Sequence, residues 1–223
     1  MKRKIVTTTD GSHSIYLEEM DEHYHSKHGA IEESEHIFIK HGLVKKAESA
    51  SAINIFEVGL GTGLNFLTTY KALLNLNVKV AYHAIEAFPV GQEELDVLNF
   101  HDLLGIDKKV AALLHQSPDL KTVEVNAKLR FRKYYSDLTA FDFEQLPPLD
   151  VVYFDSFAPE KQPEMWTEDV FSKIFAAMNA EGILVTYCVK GEIRRRLQKV
   201  GFTIEKLKGP EGGKREMCRA WKR

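Results

Sequence analysis

The segment FEVGLGTGLNF, Phe56 to Phe66, limits the fold more than any other. Ile53–Val58 is apolar enough for a buried strand, glycines follow at 59, 61 and 63, and Leu64 opens a helical pattern over Leu64–Asn75. Strand, glycine turn and helix form the opening of a βαβ unit. The chain then keeps alternating. Val78–Ile85 reads as a strand and Gly91–Phe100 as a helix, with Pro89 in its first turn, where a missing N–H costs nothing. Lys121–Val125 and Leu129–Tyr135 read as extended, paired segments. Strand Asp150–Phe154, helix Thr167–Met178 capped by Thr167, strand Gly182–Cys188, helix Gly191–Val200 and strands Phe202–Leu207 and Glu216–Trp221 complete the pattern. Apolar strands spaced by helices imply a doubly wound, mostly parallel α/β sheet of about seven strands, covered on both faces.

The first fifty residues differ. TTTDGSHSIYLEEM predicts a hairpin turning at Asp10-Gly11, and Ser26 is placed to cap a helix over Lys27–His41, closed by Gly42. The expected organisation is therefore an extension over 1–50 and a domain over 51–223, within reach of a 223-residue chain. MKRKIVTTTDGS lacks the apolar core of a secretory signal, and no apolar run approaches the roughly 18 residues of a membrane helix. Cys188 and Cys218 fit reduced thiols, and the expected location is cytoplasmic. The net charge is −2, but Lys190–Arg223 holds twelve Lys/Arg against four Asp/Glu, a local +8 that suits phosphates or a solvated edge.

Ligands of open α/β sheets sit at the carboxyl ends of the strands, near the switch in strand order, where Gly59, Gly61 and Gly63 fall. A nucleoside triphosphate would require GxxxxGK[ST], and no Lys follows these glycines. A dinucleotide would require GxGxxG, yet position 64 is Leu. The spacing is GxGxG preceded by Glu57, which suits S-adenosylmethionine better: this ligand has no phosphate to cradle. Glu86 ends the second strand, where a carboxylate can accept hydrogen bonds from both ribose hydroxyls. Asp137, in YYSDL, can accept the adenine amino group or cap a turn starting at Leu138.

VVYFDSFAPEKQPEMW, Val151 to Trp166, is the most specific segment. Its apolar strand delivers Asp155 to the carboxyl edge, and Pro159 keeps the chain extended or turned at Ala158. A carboxylate there can orient an amine and receive its proton, or serve as a cap or ligand-shaping group. Among nine histidines, His23, His25 and His28 are close enough in sequence to suggest a metal, but methyl transfer from a sulfonium needs none, and no metal site is expected.

FEVGLGTGLNFL, AIEAFP, YYSDL, YFDSFAPEKQPEMW, the terminal GGKREM and the lead-in YHSKHGAIEESEHIFI together resemble the methyltransferase domain of MnmC, the bifunctional family of tRNA wobble-uridine modification, in a stand-alone, MnmD-like form. The resemblance implies a Rossmann-like class I S-adenosylmethionine methyltransferase fold with a small N-terminal extension. It implies methylation of 5-aminomethyl-(2-thio)uridine to 5-methylaminomethyl-(2-thio)uridine at the wobble position. It places Glu57, Gly59, Gly61, Gly63 and Asn65 around the cofactor, Glu86 at the ribose, Asp137 with Leu138 on the adenine side, and Asp155 at the reacting amine. Tyr24 to Gly29, with Tyr24 and Ser26, would cover the mouth. Phe157 is a candidate for stacking on the target base, and Lys190, Arg194, Lys214 and Arg215 for gripping the anticodon stem–loop. The enzymes that install the aminomethyl group are candidate partners, because no second dinucleotide fingerprint accompanies this domain. The residues alone leave open a polyamine-type aminopropyltransferase, a small-molecule amine methyltransferase and a non-catalytic RNA-binding module.

Overall fold

The structure is a computed structural model that describes residues 2–213 and 215–223. Lys214, one of the basic residues expected at RNA, lies outside the described residues. In chain order the elements are β1 (Arg3–Thr7), β2 (His13–Leu17), β3 (Glu22–His23), a helical rod α1 over 30–47, β4 (Ala52–Val58), α2 (Leu64–Leu73) and β5 (Lys79–Glu86). Then come α3 (Gln92–Asp96), α4 (Phe100–Leu104), α5 (Lys108–Gln116), β6 (Val123–Asn126), β7 (Leu129–Tyr135) and β8 (Leu149–Phe154). The last are α6 (Glu168–Ala177), β9 (Met178–Thr186), α7 (Gly191–Val200), β10 (Thr203–Lys208) and β11 (Glu216–Lys222).

The main sheet has eight strands in the order β10-β11-β9-β8-β4-β5-β7-β6, and β1-β2-β3 form a separate antiparallel sheet. Five central strands, β7-β5-β4-β8-β9, are parallel, and the edges β6, β11 and β10 pair antiparallel. The chain leaves β4 toward β5 and β7, then returns to β8 and β9 on the other side, so the switch point lies between β4 and β8. Strand alternation divides the interior in two. Ile53 and Ile55 of β4 join α1 and α2 through Phe38, Leu43, Phe66 and Leu67. Phe56 and Val58 face α6 and α7 through Phe171, Ile174, Ile193 and Leu197. A strand buried on both faces explains why apolar side chains fall on both faces of β4.

Several elements differ from the sequence reading. The main sheet has eight strands rather than about seven, and a third short strand joins the expected hairpin. The first helix starts at Ala30, not Lys27, because its cap comes from elsewhere: Asp10 Oδ2 accepts the Ile31 and Glu32 backbone N–H groups at 3.1 and 3.3 Å. Ser26 instead accepts the His28 N–H at 3.2 Å. The rod also runs through Gly42, in π-type register over Glu35–Val44, rather than ending there. A Cβ on Gly42 would lie 3.1 Å from the Tyr153 ring and 3.2 Å from Val185, so this glycine permits helix–sheet contact and does not act as a stop. The expected helix Gly91–Phe100 is broken into α3 and α4 around Asn99. Its side chain accepts from His13 N at 2.8 Å and donates to Gly11 O at 3.0 Å, docking the first hairpin. Pro89 precedes α3 and does not lie inside it. Helix α5, capped by Asp107 accepting from Lys109 N, was not anticipated. β9 starts at Met178, directly after α6, rather than at Gly182.

A candidate active-site cleft at the carboxyl edge of the sheet

β5 and β7 end on one cleft of about 1080 Å³ with Glu86 and Tyr135, and β4, β8 and β9 reach it with the residue just after each strand, Gly59, Asp155 and Tyr187. After β4 the chain turns through Gly59, Gly61 and Gly63 at φ 88°, 50° and 79°, in the left-handed region that disfavours side chains. Gly59 N donates to Ile85 O at 3.1 Å, and a Cβ on Gly59 would stand 2.8 Å from the Asp155 carbonyl oxygen. The turn is thus wedged between the ends of β5 and β8. Gly63 begins α2, and a Cβ there would collide with Leu114 of α5.

Gly59 and Gly61 line the cleft, as do Asn65, Glu86, Asp137, Leu138 and Asp155. Glu86 fixes the turn: Oε2 accepts from Gly61 N and Oε1 from Phe88 N, both at 2.8 Å. Each carboxylate oxygen retains acceptor capacity for a hydroxyl. Asp137 caps the turn at Leu138 through Thr139 N at 2.8 Å, so the capping role weighed for it is real, and it also faces the cleft. Asp155 is held by Asn65, whose Nδ2 donates to Asp155 Oδ2 at 2.8 Å.

Glu57 and Gly63 are not on the cleft wall. Glu57 is fully buried beneath the turn, and Tyr82 OH donates to its Oε2 at 2.9 Å. Loss of water pushes its carboxyl well above the ordinary carboxylate range, against the pull of the Tyr82 hydroxyl. Glu57 therefore supports the floor from below, where burial favours its protonated form.

The N-terminal segment forms the facing wall. Tyr24, Ser26 and Phe157 all line the cleft, and the Tyr24 and Phe157 rings meet edge to face at 5.1 Å. The Tyr24 ring also lies against Gly61, within 3.1 Å of a notional Cβ. Burial raises the Tyr24 hydroxyl to about 12, so it stays protonated. Lys161 Nζ donates to Met20 O at 2.5 Å, tying the segment after β8 to the N-terminal sheet. His25, within the segment expected over the mouth, also lines the cleft: its ring bridges Ser14 Oγ at 3.3 Å and Thr62 Oγ1 at 3.1 Å, and burial lowers its pKa to about 4. Tyr187 and Glu33 also line the cleft, and no spacing in the sequence marks them.

Of the basic residues expected at RNA, Lys190 lines the cleft and pairs with Glu160, whereas Arg194 and Arg215 do not line it. Arg194 Nε donates to Val189 O at 3.2 Å. Acidic neighbours offset much of the basic tail: Lys199 pairs with Glu168 at 2.6 Å, Lys206 with Glu216 at 2.7 Å and Arg219 with Glu205 at 2.7 Å. His23 packs on Tyr16 with ring centroids 4.7 Å apart. Among the described residues no group of His, Cys, Asp or Glu could hold a metal, and no helix is long and apolar enough to cross a membrane. Cys188 and Cys218 are both buried, free thiols.

The cleft fits S-adenosylmethionine. It has a glycine floor that side chains would fill, a carboxylate with spare acceptor capacity at the end of β5, and a second carboxylate at the end of β8. The protein is similar to the crystal structure of MNMC2 from Aquifex aeolicus, with a TM-score of 0.82 and 25% identity over all of this chain and 70% of that one. Spermidine synthase from Thermotoga maritima shares the fold, with a TM-score of 0.61 and 14% identity, covering 99% of this chain and 69% of that one. In sequence the chain is 33% identical over 173 residues to the tRNA 5-methylaminomethyl-2-thiouridine biosynthesis bifunctional protein MnmC of Leptospira interrogans, a match covering 75% of this chain. The chain spans 27% of that relative's length. Residues 106–223 match the family model described as S-adenosyl-L-methionine-dependent methyltransferase, and the chain belongs to that family.

Proposed function

We propose that this methyltransferase acts on the primary amine of 5-aminomethyl-(2-thio)uridine at the wobble position of tRNA, giving the 5-methylaminomethyl product. The observation that carries the reading is the Asp155 carboxylate, fixed by Asn65 at the end of β8 inside a cleft whose floor is the glycine turn. The MnmC relatives, named for tRNA 5-methylaminomethyl-2-thiouridine biosynthesis, supply the substrate class.

Bound S-adenosylmethionine supplies an electrophilic methyl group on a sulfonium. Glu86 accepts hydrogen bonds from the ribose hydroxyls, Asp137 and Leu138 flank the adenine, and Gly59 and Gly61 leave room for the backbone to approach. Asp155 accepts a hydrogen bond from the substrate amine, which aims the nitrogen lone pair toward the methyl. As the C–N bond forms, the methyl C–S bond would break, with sulfur keeping the electron pair as a neutral thioether; the nitrogen then carries one proton too many, and Asp155 is placed to receive it. Holding nitrogen, carbon and sulfur in line supplies most of the acceleration. Tyr24 and Phe157 present aromatic faces to the extruded base. Lys190 at the rim, with Arg194 and Arg215 outside it, meets anticodon stem–loop phosphates. The enzymes that install the aminomethyl group act before it, in the cytoplasm.

The test is transfer of labelled methyl from S-adenosylmethionine to tRNA bearing 5-aminomethyluridine. The expected result is one methyl per wobble nucleoside, and an Asp155→Asn protein that binds the cofactor normally but loses about 10²- to 10⁴-fold in turnover. Absence of labelled tRNA with the parent protein would remove the substrate assignment.

A further inference from the structure

Asp155 is the last member of a buried chain of polar groups that begins outside the methyltransferase sheet. Thr68 Oγ1 and Ser34 Oγ are 2.8 Å apart, Ser34 Oγ donates to Asn65 Oδ1 at 2.6 Å, and Asn65 Nδ2 donates to Asp155 Oδ2 at 2.8 Å. Ser34, Asn65 and Thr68 are all buried. The direction of the chain is set by its end. A carboxylate only accepts, so the amide must present its NH₂ to Asp155 and its oxygen away. That oxygen is buried, and Ser34 is the donor it meets. Ser34 in turn is delivered by α1, whose N-terminus the Asp10 carboxylate caps from the first hairpin.

We infer that Ser34 is a positioning residue for the methyl-transfer reaction: it locks the Asn65 amide so that its NH₂ group faces Asp155. Without the Ser34 hydroxyl, the buried amide oxygen loses its donor, and the amide is held at its NH₂ end alone. The amide and the Asp155 carboxylate bound to it are then free to tilt away from the substrate amine. Displacement of a reacting group by about 1 Å is enough to cost on the order of 100-fold in rate. The N-terminal segment thus contributes to catalysis through this hydroxyl as well as by walling the cleft. The inference rests on the role assigned to Asp155 above.

Ser34→Ala, Asn65→Ala and the double variant are compared by single-turnover methylation of aminomethyl-tRNA and by calorimetric titration with S-adenosylmethionine. Ser34→Ala is expected to lose roughly 10- to 100-fold in the methylation rate. Its cofactor Kd should stay within about twofold of the parent, which also reports an intact fold. On the Asn65→Ala background Ser34→Ala should change the rate less than about twofold, since no amide remains to be locked. A parent-like rate in Ser34→Ala overturns the inference, as does the same loss on both backgrounds or a rate loss matched by lost cofactor binding. An inactive parent protein would instead remove the tRNA reading on which it rests.

Discussion

At the scale of single residues, the glycine turn is governed by distances of a few tenths of an ångström. Gly59 has φ 88° and its Cβ position lies 2.8 Å from a backbone oxygen that cannot move without shifting β8. Gly59→Ala is therefore expected to cost about 1–3 kcal/mol of stability and to weaken cofactor binding, measured by urea unfolding and calorimetry. Gly63→Ala meets Leu114 instead, a side chain that can be trimmed, so Leu114→Ala should recover part of the loss. Glu57 gives a pH signature. Its carboxyl is raised in the fold, so the native state holds a proton that the unfolded chain releases above about 4.5. Unfolding free energy contributed by this group must then fall as pH rises from 4.5 toward neutrality. Glu57→Gln, which cannot titrate, should gain on the parent over that range, and a constant gap from pH 4.5 to 7 would contradict the protonated assignment. The glycines, Glu86 and Asp155 were readable from spacing after strands. The burial of Glu57 was not, because its place next to the glycines is the same in sequence whether its side chain faces the cleft or the core beneath it.

Among the elements, α1 shows most clearly where local signals lose to tertiary contacts. Ser26 is a good cap by type, yet the helix begins at Ala30 because Asp10, brought close by the β1–β2 hairpin, caps it by accepting from the Ile31 and Glu32 backbone N–H groups. Removing that acceptor by Asp10→Ala is expected to cost about 1–2 kcal/mol in urea unfolding. It should also loosen the cleft wall, seen as faster amide exchange over residues 30–34. The break between α3 and α4 has the same origin: Asn99 spends its side chain on the backbone of the hairpin. In contrast, α7 matched its expected bounds, and α6 starts where the Thr167 cap placed it, because their start signals and apolar stripes act locally and their faces meet one core.

Across the whole molecule, the N-terminal sheet, α1 and the methyltransferase sheet share one apolar core. Three histidines lie largely out of solvent around it. His25 sits between the N-terminal sheet and the glycine turn, His115 contacts Thr62 O at 3.2 Å, and His83 contacts Tyr134 OH at 3.0 Å. Burial lowers all three to about 4 from an ordinary 6.5. Each is neutral in the fold, so the stability it contributes is complete above 6.5 and is lost as pH falls toward 4. The combined loss should be several kcal/mol, a large part of the roughly 5–15 kcal/mol available to a domain. Urea midpoints should fall steeply between pH 6.5 and 4.5, and a flat profile there would show that these rings are not buried neutral.

The sequence alone determined the α/β alternation, the place of the glycine turn and the carboxylates at strand ends, because strand burial, glycine conformation and the carboxyl-edge rule are local consequences of residue type and order. Which helix was capped where, which carboxylate was buried, and the hydrogen bond between Ser34 and Asn65, thirty-one positions apart, depended instead on how the elements pack together. Such contacts depend on how the hairpin and α1 dock against the sheet, and docking is set by the summed packing of many residues that no single spacing encodes.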